Sequence, residues 1–289
     1  MIKNREIDAI SGTETTGHEW DGIKELNNPL PRWWLWVFYA CVAYSVGYWI
    51  AYPAWPMLTG YTTGVLGYSQ RQVVNTDLAA GKAAQSKFAQ AIAAGSLDDV
   101  RKDPELLRFA LAGGRVAFAD NCAACHGRGA QGKPGYPNLN DDDWLWGGKL
   151  DDIAQTVNVG IRATAPKTRQ NLMPRFGLDK IFEPAQINDA AEFVLSLSGR
   201  IADPQAVGRG KQLFADNCAA CHGGTGMGKQ EMGAPNLTDG IWLYGNTKQD
   251  VVTSIETGRG GVMPSWQGRL DAATIKQLAL YVHELGGGK

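Results

Sequence analysis

The sequence predicts an all-α protein, in which one membrane-spanning helix near the N-terminus is followed by two tandem copies of a small helical domain. Three observations indicate this class. The 19-residue run WWLWVFYACVAYSVGYWIA (33–51) carries no charged side chain. The decapeptide FADNCAACHG occurs identically at 118–127 and 214–223, 96 residues apart. A stretch with apolar residues at helical spacing closes each copy.

The apolar run has the length and the ends of a membrane anchor. As a helix, 33–51 would span about 28 Å, close to the thickness of a bilayer's hydrocarbon core. Aromatic residues crowd both ends, and Pro53 and Pro56 are expected to end the helix. A buried soluble helix fits an uncharged run poorly, and a cleaved signal peptide fits the 32-residue polar head poorly. We therefore predict a retained transmembrane helix within 33–56, embedded in a lipid bilayer.

Charges flanking the anchor predict its orientation. Lys24 and Arg32 lie before the apolar run, whereas Arg71 is the first basic residue after it. The positive-inside tendency then predicts a cytoplasmic head, 1–32, and export of the remainder. The formal net charge of the 289-residue chain is −1, so no overall basic field indicates a nucleic-acid partner.

The segment 57–108 carries no evident chemistry. We expect one or two helices there, with Gly95 as a stop and Pro104 as a breaker. Cys41, the one cysteine outside the repeated decapeptide, lies in the apolar run and receives no functional role.

The similarity between the two copies extends well beyond the decapeptide and predicts domains at 109–199 and 205–286, with a break near 199–204. The matching segments are PNL at 137–139 and 235–237, WLWG at 144–147 with WLYG at 242–245, and Met-Pro at 173–174 and 263–264. Gly114 and Gly210 each precede the repeated phenylalanine by four positions. They indicate either a close crossing with the closing helix or flexibility near a helix start.

Three chemistries compete for the motif CAACH. A redox dithiol needs no histidine at the next position, and a structural zinc site needs a second pair of ligands nearby. Covalent haem attachment uses all three residues: Cys122 and Cys125 on one helical turn form thioethers, and His126 faces the iron. The second copy repeats this arrangement with Cys218, Cys221 and His222.

Two methionines are candidates for the sixth iron ligand. Met173 and Met263 occupy matching positions, each before a proline and shortly before the closing stretch. Met227 is too close to His222 in sequence, and Met232 has no equivalent in the first copy. A haem with histidine and methionine ligands transfers electrons and has no open position for a substrate. Away from these motifs, His283 is expected to face solvent.

These residues carry a family resemblance in two parts. Residues 109–199 and 205–286 each resemble a class I cytochrome c domain, and 18–56 resembles the N-terminal signature of the dihaem cytochrome c subunit, subunit III, of cbb3-type cytochrome c oxidases. The resemblance implies a single-pass subunit of the bacterial inner membrane with two haems c on the periplasmic side. By default each methionine serves the haem of its own copy, Met173 with His126 and Met263 with His222, although an exchange between copies is equally compatible with the resemblance.

The same resemblance implies partners and a path. Electrons would pass from a soluble or membrane-bound cytochrome c donor, including one fed by a bc1 complex, through a monohaem cytochrome c subunit, towards the haem–copper subunit that reduces dioxygen. The chain would not be catalytic alone. Two alternatives are a dihaem peroxidase, which needs an open iron site, and an anchored cytochrome that serves another periplasmic reductase, such as one for nitrogen oxides.

An acidic run, Asp141–Asp143, lies between the first motif and Met173, with Asp151 and Asp152 close behind. It would steer a cytochrome c with a basic face, or it would form a solvated loop that caps a helix starting near Leu150.

Overall fold

The computed structural model describes residues 6–200 and 203–287. The chain divides into two units, one up to Ala83 and one from Ala84 onward. The first five residues of the predicted head and the C-terminal Lys289 lie outside the described residues, as does part of the predicted break at 199–204.

The first unit begins with an antiparallel hairpin that the all-α prediction did not include. Strand β1 (Thr15–Trp20) pairs with β2 (Ile23–Leu26), and Trp20 lies opposite Ile23. The two turn residues, Asp21 and Gly22, both have positive φ, as a two-residue hairpin turn of the type I′ class requires. A shorter hairpin, β3 (Pro56–Met57) with β4 (Gly60–Tyr61), follows the apolar helix.

Helix α1 (Arg32–Ala51) is the apolar helix. Among the described residues it is the single helix long and apolar enough to cross a membrane, and none of its residues is buried in the protein. It ends before the predicted limit at residue 56, because Tyr52 is extended and precedes Pro53.

The 57–108 segment is helical, as predicted, but three helices lie in it or begin in it, where one or two were expected. Helix α2 (Gln70–Ala94) stops at Gly95, and α3 (Leu97–Lys102) follows. Pro104 is the first residue of α4 (Pro104–Asn121), where its missing N–H costs no hydrogen bond. Asp103 caps α4 by accepting hydrogen bonds from the backbone of Glu105 and Leu106 at 2.9 and 3.1 Å.

The two repeats run through the same order of elements: a first helix, a single motif turn, a middle helix and a closing helix. In the first repeat α4 is followed by α5 (Ala123–His126), α6 (Leu150–Val159) and α7 (Pro184–Leu197). In the second the helices are α8 (Pro204–Asn217), α9 (Ala219–His222), α10 (Lys248–Thr257) and α11 (Ala272–His283), with a 3-10 turn at Gln230–Met232.

The two closing helices pack with the helices of the opposite repeat. The closing helix of the second repeat, α11, packs against α4 and α6 of the first, while α7 packs against α8 and α10. One apolar core accordingly joins Phe118 and Ile153 to Leu278, and the other joins Phe214 to Ala191. The boundaries 109–199 and 205–286 thus delimit sequence repeats, but each core combines the start of one repeat with the end of the other.

The paired glycines mark the two helix crossings. A Cβ on Gly114 would lie 2.3 Å from the carbonyl oxygen of Gln277 on α11, and one on Gly210 would lie 2.1 Å from that of Asp189 on α7. The close-crossing interpretation is confirmed, and in both cases the partner helix belongs to the other repeat.

The expectation that His283 faces solvent is wrong. His283 is 8% exposed, because α11 packs against several helices and buries more than one face.

Candidate haem-binding sites

Each CAACH motif forms a single helical turn. Cys122 ends α4, and its carbonyl accepts a hydrogen bond from the His126 backbone N–H at 2.9 Å. Gly127, with φ of 84°, then turns the chain away. Cys218, His222 and Gly223 repeat this geometry, with the corresponding bond also 2.9 Å long. Both cysteines and the histidine of each motif therefore lie on one turn, as predicted.

The imidazoles are held by the prolines of the two PNL segments. His126 Nδ1 lies 3.0 Å from the Pro137 carbonyl oxygen, and His222 Nδ1 lies 3.1 Å from that of Pro235. A carbonyl can only accept, so Nδ1 carries the proton and Nε2 is left as the ring atom that could bind a metal. Burial lowers the pKa of both histidines, which favours the neutral form that binds metal. Sequence reasoning noted the PNL repeat but missed this role.

The methionines lie with the opposite motifs. Met173 packs on the core that holds Cys218 and lines the same cavity as His222. Met263 packs on the core that holds Cys122, and its backbone pairs with Ile161 through hydrogen bonds of 2.9 and 3.0 Å. The packing therefore favours the exchanged pairing over the default pairing of each methionine with its own repeat. The reason is that each closing segment, which carries the Met-Pro, packs with the other repeat's first helix.

The cavity around the second motif suits a large, flat, apolar group with polar edges. It encloses about 440 Å³ and is lined by Phe176, Phe214, Val251 and Ile255. Trp242 also lines it, and its buried indole Nε1 has no hydrogen-bond partner among the residues that the structure describes. A buried N–H is almost always paired, so a polar group of the occupant is expected there. A haem, with its apolar ring and propionates, fits this arrangement.

The first motif has the equivalent surroundings. Cys122, Leu139, Trp144 and Met263 pack on its core at the places that Cys218, Leu237, Trp242 and Met173 take on the other. The Trp144 Nε1 donates to the carbonyl oxygen of Gly287. The echo of WLWG in WLYG was the sequence signal for these two tryptophans.

Models of three protein families match the chain. The N-terminal domain of cytochrome oxidase-cbb3, FixP, matches residues 12–59, cytochrome c matches 111–198, and subunit III of cbb3-type cytochrome c oxidase matches 205–282. Similar full-length proteins include the cbb3-type cytochrome c oxidase subunit FixP of Bradyrhizobium sp. (strain ORS 278), 52% identical over 290 residues, and the CcoP subunit of Azospirillum brasilense, 54% identical over 295 residues. Each alignment covers 100% of both chains. This chain belongs to the FixP/CcoP family of cbb3-type cytochrome c oxidase subunits.

Membership of the FixP/CcoP family confirms the predicted class. The chain is a c-type cytochrome, an electron-transfer subunit of a cbb3-type oxidase, and its cytochrome c domains bind haem c. The apolar helix α1 falls inside the matched FixP N-terminal domain.

The cysteine environment does not favour the redox-dithiol alternative. Burial raises the pKa of Cys122 and of Cys218 to about 11, with a smaller contribution from the neighbouring cysteine. A reactive dithiol needs a lowered pKa, because the thiolate is the nucleophile. Over residues 6–200 and 203–287, no cluster of three or more His, Cys, Asp or Glu side chains is arranged to hold a metal ion.

In this FixP/CcoP chain two further arginines stack on aromatic rings of the WLWG and WLYG segments, and sequence reasoning missed both. Arg169 stacks over Trp146 and Arg259 over Tyr244, each at 5.3 Å from the ring centre. Each arginine precedes a methionine, Met173 or Met263, by four positions, and each ring is the third residue of a WLWG or WLYG segment. These regular positions were the available signal.

The acidic run is only partly on the surface. Asp142 is exposed, whereas Asp141 and Asp143 are half-buried and line the rim of the second cavity. Burial raises the pKa of Asp143 to about 6, and the nearby Asp239 and Asp141 add to the effect. Helix α6 does start at Leu150, and Asp151 and Asp152 lie in its first turn, but its N-cap is Lys149, so Asp141–Asp143 do not cap it.

Proposed function

We propose that the chain carries two covalent haems c with exchanged methionine ligands, one bound through Cys122, Cys125, His126 and Met263. The second is bound through Cys218, Cys221, His222 and Met173. The observation that carries this proposal is the matched set of side chains around each motif, with the Nδ1 of each histidine already engaged and Nε2 free. When bound, each haem supplies a one-electron iron couple.

The chain's own residues then favour electron transfer over catalysis. A histidine and a methionine would together hold each haem iron, so neither haem would keep an open site for peroxide or dioxygen. The dihaem peroxidase alternative needs such a site, and a methionine in each core argues against it. The subunit alone is therefore proposed to be non-catalytic and to pass electrons onward.

The proposed setting is the bacterial inner membrane. Helix α1 anchors the chain in the lipid bilayer, with 1–32 cytoplasmic and the haem domains periplasmic, in accord with Lys24 before the helix and Arg32 at its first position. The partners are a cytochrome c donor, a monohaem cytochrome c subunit and the haem–copper subunit of the oxidase. The names of the relatives, as subunits of such oxidases, support this assembly.

Haem counting tests the proposal. The full chain, matured in a host that attaches haem c, should contain two covalent haems, and Cys122→Ala with Cys125→Ala should leave one. The matched control is Cys41→Ala, which should retain two. Zinc in place of iron in the natively matured protein would refute the proposal.

The assembly is tested by purification of the tagged chain from solubilised membranes. Recovery of a haem–copper subunit supports the oxidase role. Recovery with a different periplasmic reductase would instead support the anchored-donor alternative. A cytoplasmic reporter that is active when fused after residue 289 would contradict the proposed orientation.

A further inference from the structure

The two methionine segments cross one another between the cores. The segment that leads to Met173 first contacts α6 of the first core. There the Arg169 guanidinium donates to the Asp152 carbonyl at 3.2 Å. Four residues later Met173 packs on the second core. In the reverse direction, Arg259 donates to the Tyr244 carbonyl at 3.0 Å in the second repeat, and Met263 packs on the first core.

Arg162 binds both crossing segments. Its Nε donates to the carbonyl oxygen of Gly261 at 2.6 Å, and its Nη1 donates to that of Asn171 at 2.8 Å. Each acceptor lies two residues before a methionine, Met263 in one case and Met173 in the other. One guanidinium therefore holds the main chain of both methionine segments.

The second repeat has no equivalent of the Arg162 loop, although the protein is built from two repeats. Gly160 and Gly258 are equivalent, because a Cβ on either would lie 2.5 Å from the carbonyl oxygen of the opposite methionine. Met173 follows Gly160 by 13 positions, whereas Met263 follows Gly258 by five. The first repeat thus has eight extra residues before its methionine, and Arg162 lies in that additional loop.

The backbone of Arg162 is held in an unfavourable conformation. Its φ is 51°, a left-handed value that few residues other than glycine adopt. Hydrogen bonds from Ile161 N–H to the Met263 carbonyl and from Arg162 N–H to the Arg169 carbonyl, both 2.9 Å, fix this turn. Strain of this kind persists where the surroundings enforce it and often marks a functional position. The half-buried guanidinium also has a lowered pKa through desolvation.

We propose that Arg162 is a positioning residue that couples the two methionine segments, so that the sixth-ligand positions of both haems are stabilised together. The inference rests on the proposed function, in which Met173 and Met263 are those ligands. Loss of the guanidinium would remove the hydrogen bonds that the Gly261 and Asn171 carbonyls accept from it. Both methionines would then dissociate more easily from the haem irons that they are proposed to bind. The guanidinium donates to the two carbonyls from two separate nitrogens, whereas a lysine side chain has one ammonium nitrogen.

Imidazole titration of the ferric, full-length chain measures how easily each methionine is displaced. Met173→His and Met263→His backgrounds each leave one methionine-ligated haem, so each titration reports a single site. Arg162→Met should lower the half-saturating imidazole concentration about tenfold at both haems, as expected when each methionine segment loses one hydrogen bond from a charged donor. Lys167→Gln, which removes an exposed charge from the same loop, should leave both values unchanged.

Arg162→Lys keeps the charge and serves as the second variant if Arg162→Met is not recovered with two haems. It should weaken methionine binding at both haems, by less than Arg162→Met. An effect at one haem only, wild-type values for both Arg162 variants, or an equal effect of Lys167→Gln would overturn the inference. Absence of two haems or of methionine ligation in the unaltered chain would instead refute the proposed function.

Discussion

Single buried polar atoms define the haem sites most sharply. The Nδ1 atoms of His126 and His222 are engaged by proline carbonyls, and the Trp242 indole is left to bond whatever fills the cavity. Because an unpaired buried donor is costly, its position indicates where the polar edge of the haem must lie.

Trp242→Phe tests this assignment. The change removes a hydrogen-bond donor from the haem's polar edge, so the ferric form should gain in relative stability and the potential should fall by some tens of millivolts. The shift should be confined to the haem held by Cys218 and Cys221, as measured by a spectroscopic redox titration. Trp144→Phe is the matched control, because that indole donates to Gly287, and it should leave this haem's potential unaltered. An unchanged potential in Trp242→Phe would contradict the assignment.

At the scale of elements, the crossing of α8 with α7 shows what holds an exchanged pair of helices together. Gly210 permits backbone contact with Asp189, and the Asp189 side chain pairs with Arg209 through two hydrogen bonds of 2.6 and 2.7 Å. Both contacts join the first helix of the second repeat to the closing helix of the first. The sterics of this crossing and its electrostatics can be tested separately.

Gly210→Ala tests the steric contact. A Cβ 2.1 Å from a backbone oxygen cannot be accommodated without moving a helix, and we expect the free energy of unfolding to fall by about 2–3 kcal/mol. Gly208→Ala on the same helix is the control, since nothing lies within 4 Å of its Cβ. That change should stabilise α8 by about 0.5–1 kcal/mol. Equal effects of both variants in chemical denaturation would argue against the crossing.

Asp189→Asn tests the ion pair through its pH dependence. The hydrogen bond from Arg209 holds the pKa of Asp189 below its usual value of 3.8. A lowered carboxyl pKa stabilises the fold above pH 3.8, and this contribution is lost as the pH falls through the folded pKa. The variant should therefore melt a few degrees lower at pH 7, with the difference shrinking at more acidic pH.

A matched comparison for Asp189 is Asp179, whose pair with Arg175 at 2.6 Å is exposed on both sides. Exposed pairs contribute little, so Asp179→Asn should change the melting temperature far less at pH 7. A pH-independent loss in Asp189→Asn would show that packing, not charge, carries the contact.

For the whole molecule, the exchange of closing segments builds each apolar core from both repeats. Under the proposed ligation neither repeat contains a complete site, because Met173 and α7 belong to the second core and Met263 and α11 to the first. The electron-transfer unit is therefore the pair of repeats, not the single repeat.

Double variants test the exchange. In a Cys218→Ala/Cys221→Ala chain one haem remains, at Cys122 and Cys125. There, Met263→His should abolish the methionine–iron charge-transfer band and lower the potential, whereas Met173→His should leave both unaltered. The reciprocal Cys122→Ala/Cys125→Ala chain should respond the opposite way. Own-repeat ligation predicts the reverse pattern in each chain, and the parent double-cysteine variants, which must retain the band, are the controls.

The sequence alone determined the local chemistry. Covalent haem motifs, candidate methionines, the membrane helix and the helix boundaries at Gly95 and Pro104 follow from short-range patterns, since each depends on a few neighbouring residues. The glycine crossings at Gly114 and Gly210 were also visible in the sequence, although flexibility remained an equal explanation there.

Only the tertiary structure decided which closing helix packs on which core. The two closing helices have similar apolar faces, and α4 and α8 end in the same decapeptide, so pattern cannot tell which closing helix joins which core. The outcome depends on contacts far apart in sequence, such as Gly114 with Gln277 and Ile161 with Met263. The same reason explains why sequence reasoning missed the roles of Arg162 and Trp242. Arg162 contacts the two methionine segments and Trp242 lines the cavity, and long-range packing alone brings these parts together.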